Sequence, residues 1–403
     1  MKAPRPRPLT VLFLSNDCGF PNGFAGTQRM RLVARALTEA EVRVRVLLTR
    51  ASEWPPTVSN YETEGEWRGI PFRYSTGTPV RSDRFAVRRW AELRGALGGI
   101  ASIVSGWRTG EVDCVYFWMF QRKPIPFGMF RGLCALLGLS VVFELNEPSR
   151  AVFEGASLSE GAGDRDPLLK HVDGFVAISG GLEEWVRTRK DGDKSAILRL
   201  PVLVDTDEVE PSFARATRDD VFYAASAGYA DEIEFVLDAA ETARERCPGL
   251  RVRFSGWEIA EVARPALQER LCASVAAGSA IVEGVMPRER MLESFRGCAA
   301  LLLPLKDEPR SFARCPTKLG EYLASGRPVV ATRIGEVGAL LSDGENAFLA
   351  EPGSVRAFAD AILRALDDPA RAEAVGRSGR AFAEQRLDYR RHSEALRAFF
   401  AAL

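Results

Sequence analysis

Lys318 and Glu321 lie three residues apart in the stretch CPTKLGEYLASGRPVVAT, which runs from Cys315 to Thr332. Pro316 suits the first turn of a helix, where a missing N–H costs nothing. Leu319, Tyr322 and Leu323 recur at helical spacing, so one face of that helix packs inward. Gly326 and Pro328 end it, and Val329-Val330-Ala331 is a short apolar run of buried-strand type. Thr317 and Lys318 then occupy the opening turn, where free backbone N–H groups and the helix dipole favour an anion. Glu321, about one turn further on, shares their face. A carboxylate there can accept hydrogen bonds from two ribose hydroxyls while the helix start holds phosphate. A nucleoside diphosphate meets both demands. A lysine and a glutamate on a helix can also be plain solvated charge; the adjoining Cys-Pro-Thr and the spacing favour the phosphate reading.

Other reactive side chains are sparser. Asn146 and Glu147 follow the apolar run Ser140–Leu145, at the carboxyl edge of a predicted strand, where doubly wound sheets bind ligands. Glu147 can orient or deprotonate an acceptor hydroxyl there, or act as a helix cap or salt-bridge partner. Gly23, Gly26 and Thr27 form a loop able to approach a phosphate or an acceptor. They do not match G-x-G-x-x-G, and turn geometry accounts for the glycines equally well. Ser226-Ala227-Gly228 is a second loop whose small residues would let phosphate or sugar come close. Asp191 and Asp193 sit in a Lys/Gly-rich turn and read as surface, not as metal ligands. With His171 and His392 the only histidines, a multi-histidine metal site or a histidine-based triad is disfavoured.

The chain has 403 residues, which suggests two cores of roughly 200 residues each. A composition of 46% hydrophobic and 27% charged residues belongs to globular proteins. Basic and acidic residues balance at 54 each, so no global charge argues for nucleic acid. Residues 1–150 nevertheless carry an excess of about eight positive charges. That suits an anionic acceptor, an anionic membrane face, or a plain arginine-rich surface. The seven cysteines are scattered, with no C-x-x-C pair, and read as reduced thiols of a cytoplasmic protein. The basic start MKAPRPRP leads only into a short apolar strand, unlike a signal peptide. No run of about 18 apolar residues would span a membrane.

These residues need a frame, and hydrophobic patterning supplies one. Leu9–Ser15 predicts a buried strand, Asn16–Gly26 a loop, and Thr27 an N-cap for a helix over 28–39, before a strand over 42–48. Residues 51–85 read as an irregular excursion with a short strand over 70–74. Arg88–Trp107 is helical by pattern, and strands are expected over 113–118, 140–145 and 174–179. A helix over 126–137 carries the stripe Phe127, Phe130, Leu133, Leu136 and Leu137. It reads first as core-facing, although the neighbouring Arg122, Lys123 and Arg131 would also suit an interfacial membrane contact. Ala196–Val204 closes a first domain, 1–204. A second domain, 205–385, follows a polar boundary at 205–220, with strands over 221–226, 251–255, 280–283 and 298–303 and a helix over 231–246. Residues 386–403 form a final helical segment.

The motif P-T-K-x-x-E-Y-L-A-x-G-x-P-V-V-A-T, with Ile334-Gly335-Glu336 and Asp343-Gly344-Glu345-Asn346 after it, resembles the donor half of GT-B glycosyltransferases. In pattern it is similar to the group 1, family-4-like enzymes. The likeness is specific from about Tyr223 to the C-terminus and weaker from Leu9 to Val204, where the order of elements agrees. It implies an α/β fold of two Rossmann-like, doubly wound parallel-sheet domains facing a central cleft. The first would bind the acceptor and the second the nucleotide sugar, with the last helix crossing back to the first.

The implied reaction is sugar transfer from a nucleoside diphosphate to a hydroxyl of a glycan, lipid-linked or small-molecule acceptor, in glycan, cell-surface polysaccharide or glycoconjugate biosynthesis. Retention of anomeric configuration is expected, without metal or further cofactor, the donor's phosphate helping to take the acceptor proton. A cytoplasmic site is expected, with peripheral contact at the inner membrane face as an additional partner. By the same resemblance Glu321 would hold the ribose and Thr317 the phosphate. Lys318 would stabilise the leaving diphosphate, with Arg314 and Arg310 beside it. Gly335 and Glu336 would border the donor sugar, and Gly284-Val285-Met286-Pro287 would lie against the base.

Two departures stand out. Many members carry two glutamates separated by seven residues, and the first, which touches the sugar, falls here on Ala313. A basic residue common near the 226–229 loop is missing. Alternatives are therefore a GT-B enzyme without a sugar acceptor, such as an epimerase or phosphorylase, and a degenerate nucleotide-sugar-binding module. An NAD-dependent dehydrogenase would need the glycine fingerprint that is lacking.

Overall fold

Apolar runs closed by glycine or polar turns become the strands of two sheets. The computed structural model describes residues 7–403 apart from 24, 56–57, 119, 121–123, 147–169, 190–193 and 214–218. Glu147, Asp191, Asp193, Arg122 and Lys123 lie outside the described residues. The chain forms two compact units, Met1–Leu203 with Tyr389–Leu403, and Val204–Asp388.

The first unit holds β1 (Thr10–Ser15), α1 (Ala25–Glu39), β2 (Arg43–Leu48), β3 (Glu64–Trp67), β4 (Ile70–Tyr74), α2 (Phe85–Arg108) and β5 (Cys114–Trp118). It continues through α3 (Pro124–Leu137), β6 (Ser140–Leu145), β7 (Gly174–Ala177), α4 (Gly180–Arg187) and β8 (Ala196–Arg199). Its sheet runs β3-β4-β2-β1-β5-β6-β7-β8. All pairings are parallel except that of β3 with β4. Strand β1 is buried along its whole length, as befits a central parallel strand covered on both faces.

The second unit holds β9 (Asp220–Ala224), α5 (Ala230–Arg244), β10 (Arg251–Ser255), α6 (Pro265–Ala276), β11 (Ala280–Val282), α7 (Arg288–Gly297) and β12 (Ala300–Leu303). Then come α8 (Pro309–Ala313), α9 (Lys318–Ala324), β13 (Val329–Thr332), α10 (Gly335–Leu340), β14 (Phe348–Ala350), α11 (Val355–Asp367) and α12 (Pro369–Phe382). Its sheet is parallel throughout, in the order β11-β10-β9-β12-β13-β14. That order reverses direction between β9 and β12, and the loops leaving the carboxyl ends of those strands flank a topological switch point. After α12 the chain rejoins the first unit, where α13 (Ser393–Ala402) packs on α1. Arg35 donates to the Tyr389 hydroxyl at 2.5 Å, and the Phe400 ring meets Tyr116 edge-on at 5.2 Å.

Several expectations need correction. Thr27 is not an N-cap: α1 begins at Ala25, and the buried Thr27 hydroxyl donates to the Gly19 carbonyl at 2.8 Å, pinning the preceding loop. The 51–85 excursion contains a β-hairpin, because Arg68 and Gly69 both adopt positive φ, as a tight two-residue turn requires. Polar Glu64-Gly65-Glu66 masked its edge strand. The strand predicted to end at Ser179 stops at Ala177, and the Ser179 hydroxyl accepts from Leu182 N at 3.2 Å to cap α4. On α3, Phe127, Phe130 and Cys134 turn inward, whereas Leu136 is 82% exposed and leaves the expected core stripe.

Glu144 sits inside the apolar strand β6 and is fully buried. Its Oε1 accepts from Arg29 Nε at 2.6 Å, and its Oε2 accepts from the Tyr116 hydroxyl. Arg29 also donates to the carbonyls of Pro201 at 2.7 Å and Leu200 at 3.0 Å. The pair is tolerable in the core because each charge is matched by hydrogen bonds. Among the described residues no helix is long and apolar enough to cross a membrane.

Candidate functional site

Helix α9 is held by its apolar face. Leu319, Tyr322 and Leu323 are fully buried. The Tyr322 hydroxyl accepts from Ala224 N at 3.2 Å, and its ring meets Phe295 at 5.0 Å. The helix is thereby tied to the end of β9, beside the switch point. Gly326 closes it with φ +72, where a Cβ would come 2.6 Å from the Phe213 ring. The helix proper opens at Lys318, with Thr317 as its N-cap, so Pro316 lies just before the first turn and not in it. The Pro316 carbonyl accepts from Leu319 N at 3.0 Å, which continues the turn upstream.

Lys318 and Glu321 share the remaining edge, and their surroundings differ. Lys318 is half-buried, and among the described residues no carboxylate lies within ion-pair distance of its Nζ. Burial lowers its pKa, with Glu321 acting in the opposite sense. The Glu321 carboxylate accepts from Arg288 Nη1, and Arg288 Nη2 lies 3.6 Å from Glu208 Oε2. For Arg288 burial works against the charge, yet Glu321 outweighs it and the pKa rises. Sequence reasoning missed Arg288; its available signal was a basic residue opening a helix right after the Met286-Pro287 turn.

A second cationic group converges from α8. Arg310 Nη2 and Arg314 Nη1 donate to the Tyr229 hydroxyl at 3.2 and 3.3 Å, and both guanidinium groups lie over its ring, at 5.4 and 5.2 Å. Arg314 Nη2 reaches Glu232 Oε1 at 3.4 Å. Tyr229 closes the 226–229 loop, with its N–H on the Ser226 carbonyl at 3.0 Å. Ser226 and Gly228 are exposed there. The loop lacks a basic residue of its own, but α8 brings two to it. Tyr229 is the second residue that sequence reasoning passed over.

Helix α10 closes on α8 through Gly335. That residue has φ +51, and a Cβ on it would lie 2.6 Å from the Ser311 carbonyl oxygen and 2.8 Å from Phe312 Cα. The neighbouring Glu336 is buried, as is Ala313. Met286 is half-buried, its Sδ 3.9 Å from Ser294 Oγ. Behind it, the Gly284 carbonyl accepts from Gly256 N at 2.8 Å, fixing the 284–287 loop against the end of β10.

The structure thus gathers Thr317, Lys318 and Glu321 on one helix edge, and Arg310, Arg314, Ser226 and Gly228 around Tyr229. Gly335 and Glu336 lie against α8. The remaining candidates belong to the first unit. Asn146 is half-buried at the carboxyl end of β6. Gly26 lies within α1, near Cys18, and the Thr27 hydroxyl is committed inward. Burial also pushes the Cys18 thiol up to about 12, so that cysteine is no nucleophile at neutral pH.

No curated protein sequence matches the chain. Residues 218–368 match the family model for glycosyl transferases group 1. Among solved structures, sucrose-phosphate synthase (tll1590) from Thermosynechococcus elongatus superposes with a TM-score of 0.71 at 16% identity, covering 98% of this chain and 100% of that one. HepE from Anabaena, solved with UDP and glucose, gives 0.68 at 16% identity over 98% and 99%. The pneumococcal O-GlcNAc transferase GtfA, solved with UDP and GlcNAc, gives 0.63 at 10% identity over 98% and 99%.

Proposed function

We propose that this chain, a GT-B glycosyltransferase whose residues 218–368 form a group 1 glycosyltransferase domain, moves a sugar from a nucleoside diphosphate to a hydroxyl acceptor with retention of anomeric configuration. The observation that carries this reading is Lys318: a half-buried ammonium without a carboxylate partner among the described residues, one helical turn from a carboxylate that Arg288 orients. Such a cation calls for an anionic ligand.

Cleaving the anomeric C–O bond loads negative charge on the departing diphosphate. Fixed cations aimed at that charge lower the barrier most effectively. Lys318 takes this role, with Arg314 and Arg310 as the second pair and the Thr317 backbone at the helix start. Glu321 accepts the ribose hydroxyls, Met286 borders the base, and Gly335 and Glu336 border the sugar. The acceptor, a hydroxyl-bearing glycan, lipid-linked molecule or small molecule, binds the first unit, with Asn146 at the carboxyl end of β6 as its first candidate contact. No metal or further cofactor takes part in the scheme.

The relatives HepE and GtfA were solved with UDP, which makes UDP-sugars the first to test. A panel of UDP-, GDP-, ADP- and dTDP-sugars is screened by thermal shift, since a bound donor raises the melting point by mass action. The expected outcome is a rise with one nucleotide class, followed by sugar transfer whose product keeps the donor's anomeric configuration by NMR. No shift with any saturating nucleotide sugar would end the reading. A second reading rests on the buried Ala313, which puts a methyl where related enzymes use a glutamate. It is a module that binds nucleotide sugar without turnover, and measurable transfer eliminates it.

A further inference from the structure

Helix α2 is built inside out. Its buried face consists of Gly95, Gly99, Ile103 and Gly106. A Cβ at Gly95 would lie 2.1 Å from the Thr49 carbonyl oxygen, one at Gly99 2.7 Å from the Phe130 ring, and one at Gly106 2.5 Å from Val112 Cγ2. The helix therefore cannot roll about its axis, because only the glycine face fits the close approach. The large apolar residues point the other way. Trp90, Leu93 and Leu97, at helical spacing, are 65%, 51% and 57% exposed, with Phe85 and Val87 exposed at the helix start. An ordinary surface helix does the reverse.

Helix α3, packed beside α2 through Phe130 on Gly99, repeats the anomaly. Ile125, Met129, Gly132 and Leu136 follow one line along it, and Ile125 and Leu136 are almost fully exposed. Arg94 and Arg108 are exposed on the same side of α2 as Trp90 and Leu97, and Arg89 is exposed beside them. Arg88 falls in register with Gly95 and Gly99, and Arg131 donates to the Lys170 carbonyl at 2.5 Å. The one acid on the two helices is Glu92. Glu92 is itself engaged by Arg89 and Arg50. An exposed apolar face of this kind in a globular unit marks an interaction surface.

We propose that the α2–α3 face of the first unit docks on a bilayer surface rich in anionic lipid. Trp, Phe, Leu and Ile would enter the headgroup boundary, while the arginines stay at phosphate level. The charge selects this occupant over a second copy of the chain. A two-fold contact would set the same arginines against themselves, whereas an anionic leaflet attracts each of them. The inference concerns the first unit alone and does not depend on the donor chemistry of the second.

The full chain is floated with vesicles of phosphatidylcholine containing about one third phosphatidylglycerol, at low and at high salt, and with phosphatidylcholine alone. Anionic vesicles should retain the protein at least about tenfold better than neutral ones, with a loss at high salt. Trp90→Ser with Leu93→Ser and Leu97→Ser changes only exposed side chains and should abolish flotation while leaving the melting temperature unchanged. Arg94→Glu with Arg108→Glu, both exposed on the side of Trp90 and Leu97, should cut partition into anionic vesicles by more than about fivefold. Equal retention by neutral vesicles, no flotation at all, or a wild-type dimer that the triple variant turns into a monomer would each overturn the proposal.

Discussion

Arg288 Nη1 donates to Glu321 Oε1, and the other arm of the same guanidinium lies 3.6 Å from Glu208 Oε2. The arginine opens α7 and the glutamate projects from α9, so two helices hold one carboxylate in a set direction. In the proposed scheme a ribose arriving there meets an acceptor already oriented.

Removing that acceptor should weaken the nucleotide, not the fold. Glu321→Ala removes the proposed hydrogen bonding of the ribose to this carboxylate, a net loss of about 1.5–3 kcal/mol in all. Nucleotide affinity measured by calorimetry should fall about tenfold to a hundredfold, with an unchanged melting temperature. Arg288→Met should give a smaller loss. The two substitutions together should cost less than their sum, by a coupling of about 0.5–3 kcal/mol. Strict additivity would mean that Arg288 does not position Glu321.

Lys318 should set the alkaline limit of donor binding. Burial lowers its pKa below the usual 10.5. A bound diphosphate favours the protonated form and so raises the pKa again. Affinity is therefore full below the free-protein pKa and declines as pH rises through it, below 10.5. A pH series of nucleotide affinities should show that limb, and Lys318→Arg should remove it. Lys318→Ala should depress kcat more than stability.

Tyr229 should act as a positioning residue for two arginines. Tyr229→Phe keeps the ring under both guanidinium groups and deletes the hydroxyl that accepts from them. A fall in kcat of about tenfold with KM little changed is expected, because the charge develops only as the bond breaks. An unchanged kcat would remove Arg310 and Arg314 from the leaving-group role.

The Arg29–Glu144 pair should matter for stability alone. Arg29→Met strands a buried carboxylate and should destabilise the first unit by about 3–5 kcal/mol. Calorimetry of the full chain should show the first unit's transition moving down, with nucleotide affinity of the native protein retained. Glu144→Gln with Arg29→Met should recover part of the loss.

Gly335→Ala tests the α8–α10 approach. Its φ of +51 and the 2.6 Å distance to the Ser311 carbonyl oxygen both oppose a methyl. A loss of stability of about 1–2 kcal/mol is expected from the left-handed backbone alone. Turnover should fall further than that figure alone implies, as Glu336 moves with the helix.

Much of the frame was legible because parallel strands are written locally. Cys315–Thr332 announced its helix, its glycine stop and its strand through side-chain spacing and two breakers. The ranges 70–74, 140–145 and 251–255 were readable as bare apolar or alternating runs, and each became a strand with those limits. Boundaries slipped where a cap depends on what the hydroxyl finds in space: Thr27 looks like an N-cap and is instead tied back to Gly19.

What the sequence could determine by itself was thus the alternation of strands and helices, and the group of residues on one helix, Thr317, Lys318 and Glu321. Contacts between segments far apart in the chain were left to the tertiary structure. It decided that Arg288 meets Glu321, that Tyr229 gathers Arg310 and Arg314, and that Glu144 is buried against Arg29. It also decided that α2 turns glycines inward and its two tryptophans outward. The physical reason is that local patterning records only near neighbours. The first three pairings depend on which distant segments the fold brings together. For α2, periodicity shows two faces, while only the packing distance available to each selects the buried one.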